Sequence, residues 1–259
     1  MTTVLAHQAI GEADEVVFVL HGLFGSSRNW QSVARRLRDR FRVYTVDLRN
    51  HGQSPHRPGM DYHSLSDDVL ELADSVAVSS LRLVGHSMGG KVAMAVALRA
   101  PERVEQLAVV DIAPMTYDER FAEIIDAMQD LDLTAIDDRR DADQALSVTV
   151  PDQRLRGFLL QNLLRTENGY QWRLNLEALR AGLAEISDFP QPLCDLRYLG
   201  PTTFIAGGRS VSVRTEHEPV IRSLFPNARI AVIPEAGHWP HSETPEQFWE
   251  LLAAALNSR

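Results

Sequence analysis

The chain has 259 residues, 44% of them apolar, enough to bury one large α/β domain or a core with an insertion. Its net charge of −9 argues against a nucleic-acid partner, and no basic run or basic amphipathic stretch offers a footing on a membrane. The single cysteine, Cys194, excludes an internal disulfide framework, and no segment approaches transmembrane length. Residues 1–7 have neither a cationic start nor a long apolar stretch, so a cytoplasmic setting is expected.

In chain order, residues 4–10 suit a short edge strand. Val16-Val17-Phe18-Val19-Leu20 is a continuous apolar, β-branched run, the pattern of a strand buried on both faces. It ends in the loop His21-Gly22-Leu23-Phe24-Gly25-Ser26. Trp30, Val33, Ala34 and Leu37 follow at helical spacing. Residues 41–46 make the next strand, and the polar loop Asp47-Leu48-Arg49-Asn50-His51-Gly52-Gln53-Ser54 succeeds it. Leu65, Val69, Leu72 and Val76 mark a second amphipathic helix. Leu81-Arg82-Leu83-Val84 leads into Gly85-His86-Ser87-Met88-Gly89, and a helical run of small residues leads out. Residues 104–110 form another apolar strand, ending at Asp111. This alternation predicts a parallel, doubly wound sheet, whose ligands bind beyond the C-terminal ends of the strands. His21, Ser87 and Asp111 all fall there.

The alternation then breaks. Residues 115–198 show helical patterns and no convincing strand, and are expected to form a helical cap inserted in a core of residues 1–114 and 199–259. Phe121, Ile124, Ile125, Met128 and Leu131 make one apolar face. Pro151 opens a second candidate helix, with Leu155, Phe158, Leu159 and Leu163. Trp172, Leu176, Leu179, Leu183 and Ile186 make a third. The insertion leaves and re-enters at the end of the sheet that holds Ser87, so it is placed to cover it. Residues 202–206 and 229–233 resume the sheet. The last helix opens at Thr244-Pro245-Glu246-Gln247, with Thr244 as N-cap and Gln247 completing a capping box.

Gly85-His86-Ser87-Met88-Gly89 is Gly-x-Ser-x-Gly between a strand and a helix, the pattern of a nucleophile elbow. A serine hydroxyl needs a neighbouring base, and the base needs an orienting carboxylate. His238 follows the last strand and is the expected base, with His241 as the fallback. His86 is expected to be structural, with Phe24 and Trp239 beside it as pocket lining. His21 and His51 are expected to brace loops, and His217 has no assigned role. No residue of 208–213 is acidic, although many enzymes with this elbow place the acid there. Asp111 ends the adjacent strand and is the expected acid; Glu216 and Glu218 are alternatives. The backbone N–H groups of Met88 and Leu23 are the expected oxyanion donors. No metal or cofactor is expected. The histidines are not spaced as ligands, and the glycines near Ser87 are not a dinucleotide fingerprint.

With these residues in place, the chain resembles the α/β-hydrolase superfamily. More narrowly, it is similar to the small bacterial YbfF-type esterases and their abhydrolase-domain relatives. The resemblance spans nearly the whole chain and is carried by residues 21–26, 47–54, 85–91, 110–114 and 236–239. It implies hydrolysis of small-molecule carboxylic esters or acyl thioesters under a helical cap. It also implies an acid on the strand after the elbow, where Asp111 stands. The implied reaction is attack by Ser87 on the ester carbonyl, with His238 as the proton carrier. Rivals on the same triad are a thioesterase, an acyltransferase, a perhydrolase and a carbon–carbon hydrolase. A slow-turnover ligand-binding receptor is the rival from another class.

Overall fold

Why the second strand must lie in the middle of a sheet is plain from its burial. All five residues of Val16–Leu20 are inaccessible, which a parallel strand covered on both faces requires. The computed structural model describes residues 4–118, 121–167 and 169–257. Its seven-stranded sheet contains β1 (His7–Ile10), β2 (Val16–Leu20), β3 (Arg42–Val46), β4 (Leu81–His86), β5 (Val104–Val110), β8 (Thr202–Gly207) and β9 (Ala228–Ile233). The spatial order is β1-β3-β2-β4-β5-β8-β9. Only β1 runs antiparallel to its neighbour. It begins at His7 rather than at residue 4.

Two apolar layers cover the sheet. On one face α2 (Tyr62–Ser75) and α3 (Met88–Arg99) pack through Leu65, Val69, Leu72, Val92 and Val96. On the other, α1 (Gln31–Leu37) and α11 (Pro245–Asn257) contribute Val33, Leu37, Phe248 and Leu252, with Trp30 just ahead of α1. The Thr244 hydroxyl donates to the Pro240 carbonyl at 3.2 Å, back into the short helix α10 (Pro240–Glu243).

Between β5 and β8 the chain forms α4 (Ala122–Gln129), α5 (Arg139–Leu146), α6 (Gln153–Leu159), α7 (Leu176–Ala181) and α8 (Leu183–Ser187). It also forms a hairpin of β6 (Leu163–Thr166) and β7 (Gly169–Trp172), where the sequence suggested no strand. Leu163 and Trp172, assigned above to helices, are strand partners. Trp172 Nε1–H donates to the Met128 carbonyl at 2.8 Å, which ties the hairpin to α4. Pro151 lies outside α6, whose first N–H groups are capped by Asp152. The third expected helix is divided at Gly182 into α7 and α8. A Cβ there would lie 2.5 Å from Cβ of Met60, so the close approach of this turn to the core demands glycine. The remaining helix, α9 (Glu218–Leu224), lies between β8 and β9.

Candidate active site

The turn from β4 into α3 holds Ser87 at φ 51° and ψ −121°. This is a strained conformation for a residue with a Cβ, and its neighbours explain how it persists. A Cβ on Gly85 would meet the Gly89 carbonyl oxygen at 2.2 Å, and one on Gly89 would meet the His21 carbonyl oxygen at 2.4 Å. Only hydrogen at both positions lets the backbone fold this tightly. Ser87 is thereby held half-buried at the end of the sheet, and its hydroxyl has no hydrogen-bond partner among the described residues.

Asp111 leaves β5 with φ 50° and is fully buried. Its Oδ1 accepts from the Gly207 N–H at 2.8 Å. Its Oδ2 accepts from the Ser210 hydroxyl and, at 2.7 Å, from Nδ1–H of His238. Ser210 therefore occupies the place where an acid was sought and serves the acid on the neighbouring strand. Ser212 Oγ lies 3.4 Å from the same Nδ1. Glu218 pairs with Arg222 and Glu216 lies beside Arg214 and His217, so neither alternative acid meets His238.

The His238 loop is held at three points. Glu243 accepts from the N–H groups of Gly237 and Trp239 at 2.7 and 3.1 Å. His86 Nε2–H donates to the His238 carbonyl at 2.7 Å. Burial, reinforced by the nearby His238, holds His86 well below the usual histidine range, so it is neutral and available as this donor. Nothing in the sequence marked Glu243, Ser210 or Ser212 for these positions beyond the missing acid at 208–213. His241 stacks on Trp30 with ring centroids 4.3 Å apart, and burial pushes it down to about 4. Among the described residues it has no carboxylate partner.

On the opposite side, residues 22–25 form a turn closed by the Gly25 N–H to the Gly22 carbonyl at 2.9 Å. His51 Nε2 accepts from the Phe24 N–H at 3.3 Å, and His21 Nε2 accepts from the Leu48 N–H at 3.0 Å. Burial lowers both imidazoles, His51 to about 3, so each keeps a lone pair for its amide. The 47–54 loop is fixed in turn by Arg49, whose guanidinium meets buried Asp68 at 2.6 and 2.8 Å. With Phe24 engaged by His51, the Leu23 N–H is left without a partner among the described residues. The Met88 N–H, first in α3, is likewise unspent. Leu23 and Met88 line the same space as Ser87.

A cavity of about 280 Å³ opens over Ser87. Leu23, Phe24, His86, Ser87, His238 and Trp239 form its core side, and Phe121, Ile124, Leu155 and Phe158 of the inserted segment its cover. Asn162 Nδ2–H donates to the Phe24 carbonyl at 2.8 Å and ties the cover to the Leu23 turn. Near the root of the insertion, the Tyr117 hydroxyl accepts from the Ala113 N–H and donates to the Ser212 carbonyl, at 2.9 and 2.5 Å. Among the described residues no helix is long and apolar enough to cross a membrane.

The sequence pattern of the α/β-hydrolase fold matches residues 15–245. The chain belongs to the α/β-hydrolase family. This hydrolase is 43% identical over 249 residues to the sn-1-specific diacylglycerol lipase ABHD11 of Mus musculus, covering 93% of this chain and 80% of that protein. It is 32% identical over 243 residues to esterase YbfF of Escherichia coli, covering 93% and 92%. A solved structure titled as a marine microorganism esterase superposes with a TM-score of 0.94 at 35% identity, over 98% of this chain and 99% of that one. The hydrolase is thus an enzyme of the esterase/lipase-like class, of YbfF type.

Proposed function

We propose that this hydrolase is a serine carboxylesterase working through an acyl-enzyme on Ser87. The observation that carries the reading is the 2.7 Å hydrogen bond from His238 to buried Asp111, at the wall of an apolar cavity that Ser87 also lines. Asp111 keeps the proton on Nδ1, which leaves Nε2 to accept the Ser87 proton. Ser87 Oγ bonds to the ester carbonyl carbon, and the carbonyl electron pair moves to oxygen. The Leu23 and Met88 N–H groups receive that oxyanion, a contribution of about 3 kcal/mol per donor in such sites. As the carbon–oxygen bond to the alcohol breaks, His238 returns the proton to the departing oxygen. Water then repeats the sequence on the acyl-enzyme, and the acid is released. The inserted segment acts as an apolar cap that limits water around the intermediate. The substrate is a small-molecule ester, a class supported by the similarity to a diacylglycerol lipase and an esterase.

The experiment is hydrolysis of p-nitrophenyl acetate by the wild type and Ser87→Ala, with a serine-directed fluorophosphonate probe alongside. Turnover and labelling in the wild type, both lost in Ser87→Ala, are expected. Turnover that survives in Ser87→Ala refutes the acyl-enzyme.

A further inference from the structure

Two cavities meet at Ser87, and they differ in size and lining. The larger is the 280 Å³ cavity that contains His238. The smaller, about 40 Å³, lies towards the start of α3 and contains Met88, Tyr62, Lys91, Ile112 and Ile186 but not His238. Ser87, Leu23 and Phe121 line both. The waist between them is therefore where an ester carbonyl carbon would sit.

Four bonds leave that carbon in the tetrahedral intermediate. One goes to Ser87 Oγ. The oxyanion takes the Leu23 and Met88 N–H groups. The leaving oxygen must take its proton from His238, so it points into the larger cavity. The acyl carbon has only the remaining direction, into the smaller one.

Lys91 lines that smaller cavity. It is 2% exposed, and its Nζ donates to the Ser187 and Asp188 carbonyls at 2.8 and 2.7 Å. It also lies 4.9 Å from the Tyr117 ring centroid. The Tyr62 hydroxyl donates to the Ile186 carbonyl at 2.6 Å. These bonds satisfy the last carbonyls of α8 from the core side, so the wall cannot recede without breaking them. A single water needs about 10–15 Å³ of such space, so about 40 Å³ admits only a few heavy atoms. An alkyl chain that grew further would press methylenes onto the buried, hydrogen-bonded Lys91 amine.

We infer that the Lys91 cavity is the acyl pocket and the Phe158–Trp239 cavity the alcohol pocket, so that the substrates are esters of short acids with larger apolar alcohols. This rests on the carboxylesterase reading and sharpens it. Ile112 and Lys91 set the acyl limit, and Phe158 faces the leaving group.

The test uses two ester series. One varies the acid from acetate to hexanoate on p-nitrophenol, and the other varies the alcohol on acetate. Lengthening the acid should lower kcat/KM by about tenfold or more, as for a methylene that does not fit. Lengthening the alcohol should not lower it. Ile112→Ala should raise the hexanoate-to-acetate ratio, Lys91→Met should do the same, and Phe158→Ala should leave it unchanged. A wild type that handles hexanoate as well as acetate overturns the inference. So does a ratio that moves in Phe158→Ala and not in the other two variants. In both cases Ser87-dependent turnover persists and the carboxylesterase reading stands. Absence of turnover on every ester overturns that reading, and this inference with it.

Discussion

Replacing Asp111 by asparagine tests the least conventional part of the site. The wild-type carboxylate is fully buried and accepts three hydrogen bonds, from Gly207, Ser210 and His238. In Asp111→Asn the carbonyl oxygen can keep the Gly207 N–H, so the backbone of β8 stays in place. The amide nitrogen then stands where Oδ2 was. Ser210 can rotate its hydroxyl to accept from it, but the imidazole has no such freedom. Facing a donor, His238 must carry its proton on Nε2, the nitrogen that has to accept from Ser87. The cost of this wrong tautomer in serine hydrolases is about 10⁴ in kcat, or about 5 kcal/mol of barrier. The assay is kcat for p-nitrophenyl acetate from about pH 6 to 9, with circular dichroism to show that the variant is folded. A folded Asp111→Asn that loses less than about tenfold would refute the assignment of the acid.

Further outcomes follow from the same geometry. His86→Ala releases the His238 carbonyl, and loss of one buried hydrogen bond of about 1–3 kcal/mol should lower kcat by about ten- to a hundredfold with little change in KM. Asp68→Ala strands Arg49 beneath the 47–54 loop, and urea unfolding should show a loss of about 3–5 kcal/mol. Burial holds His51 at about 3 and His241 at about 4, whereas both are near 6.5 when unfolded. The unfolded chain thus binds more protons below that pH. Their contribution is complete above about pH 6.5 and drains as pH falls, by roughly 4 kcal/mol together at about pH 5. Equal urea midpoints at about pH 7.5 and 5 would contradict this.

What could be read from the sequence was whatever local chemistry fixes by itself. Val16–Leu20 has no polar residue to place in water, so it reads as a central strand. The glycines around Ser87 announce a turn that nothing larger can make. Asp111 was legible by subtraction, because 208–213 lacks an acid and the family resemblance allows one on β5. The inserted segment was harder. Its hairpin strands are four residues each, and Trp172 joins one of them through a bond to Met128, 44 positions away. Gly182 breaks a helix pattern because Met60 crowds it, again a contact made in three dimensions. The polar α5, Arg139–Leu146, has few apolar residues to display a period. Glu243 reaches back to Gly237 and Trp239 with no motif to betray it.

The strand that delivers Asp111 is also the strand from which the inserted segment departs, so any tug on that segment would be transmitted to the carboxylate. The Tyr117 hydroxyl stands in the way. Bonded to Ala113 on one side and Ser212 on the other, it rivets the root of the insertion to the rigid frame six residues past the acid. A pull on the insertion beyond Tyr117 would meet these two bonds before it reached the strand that carries Asp111.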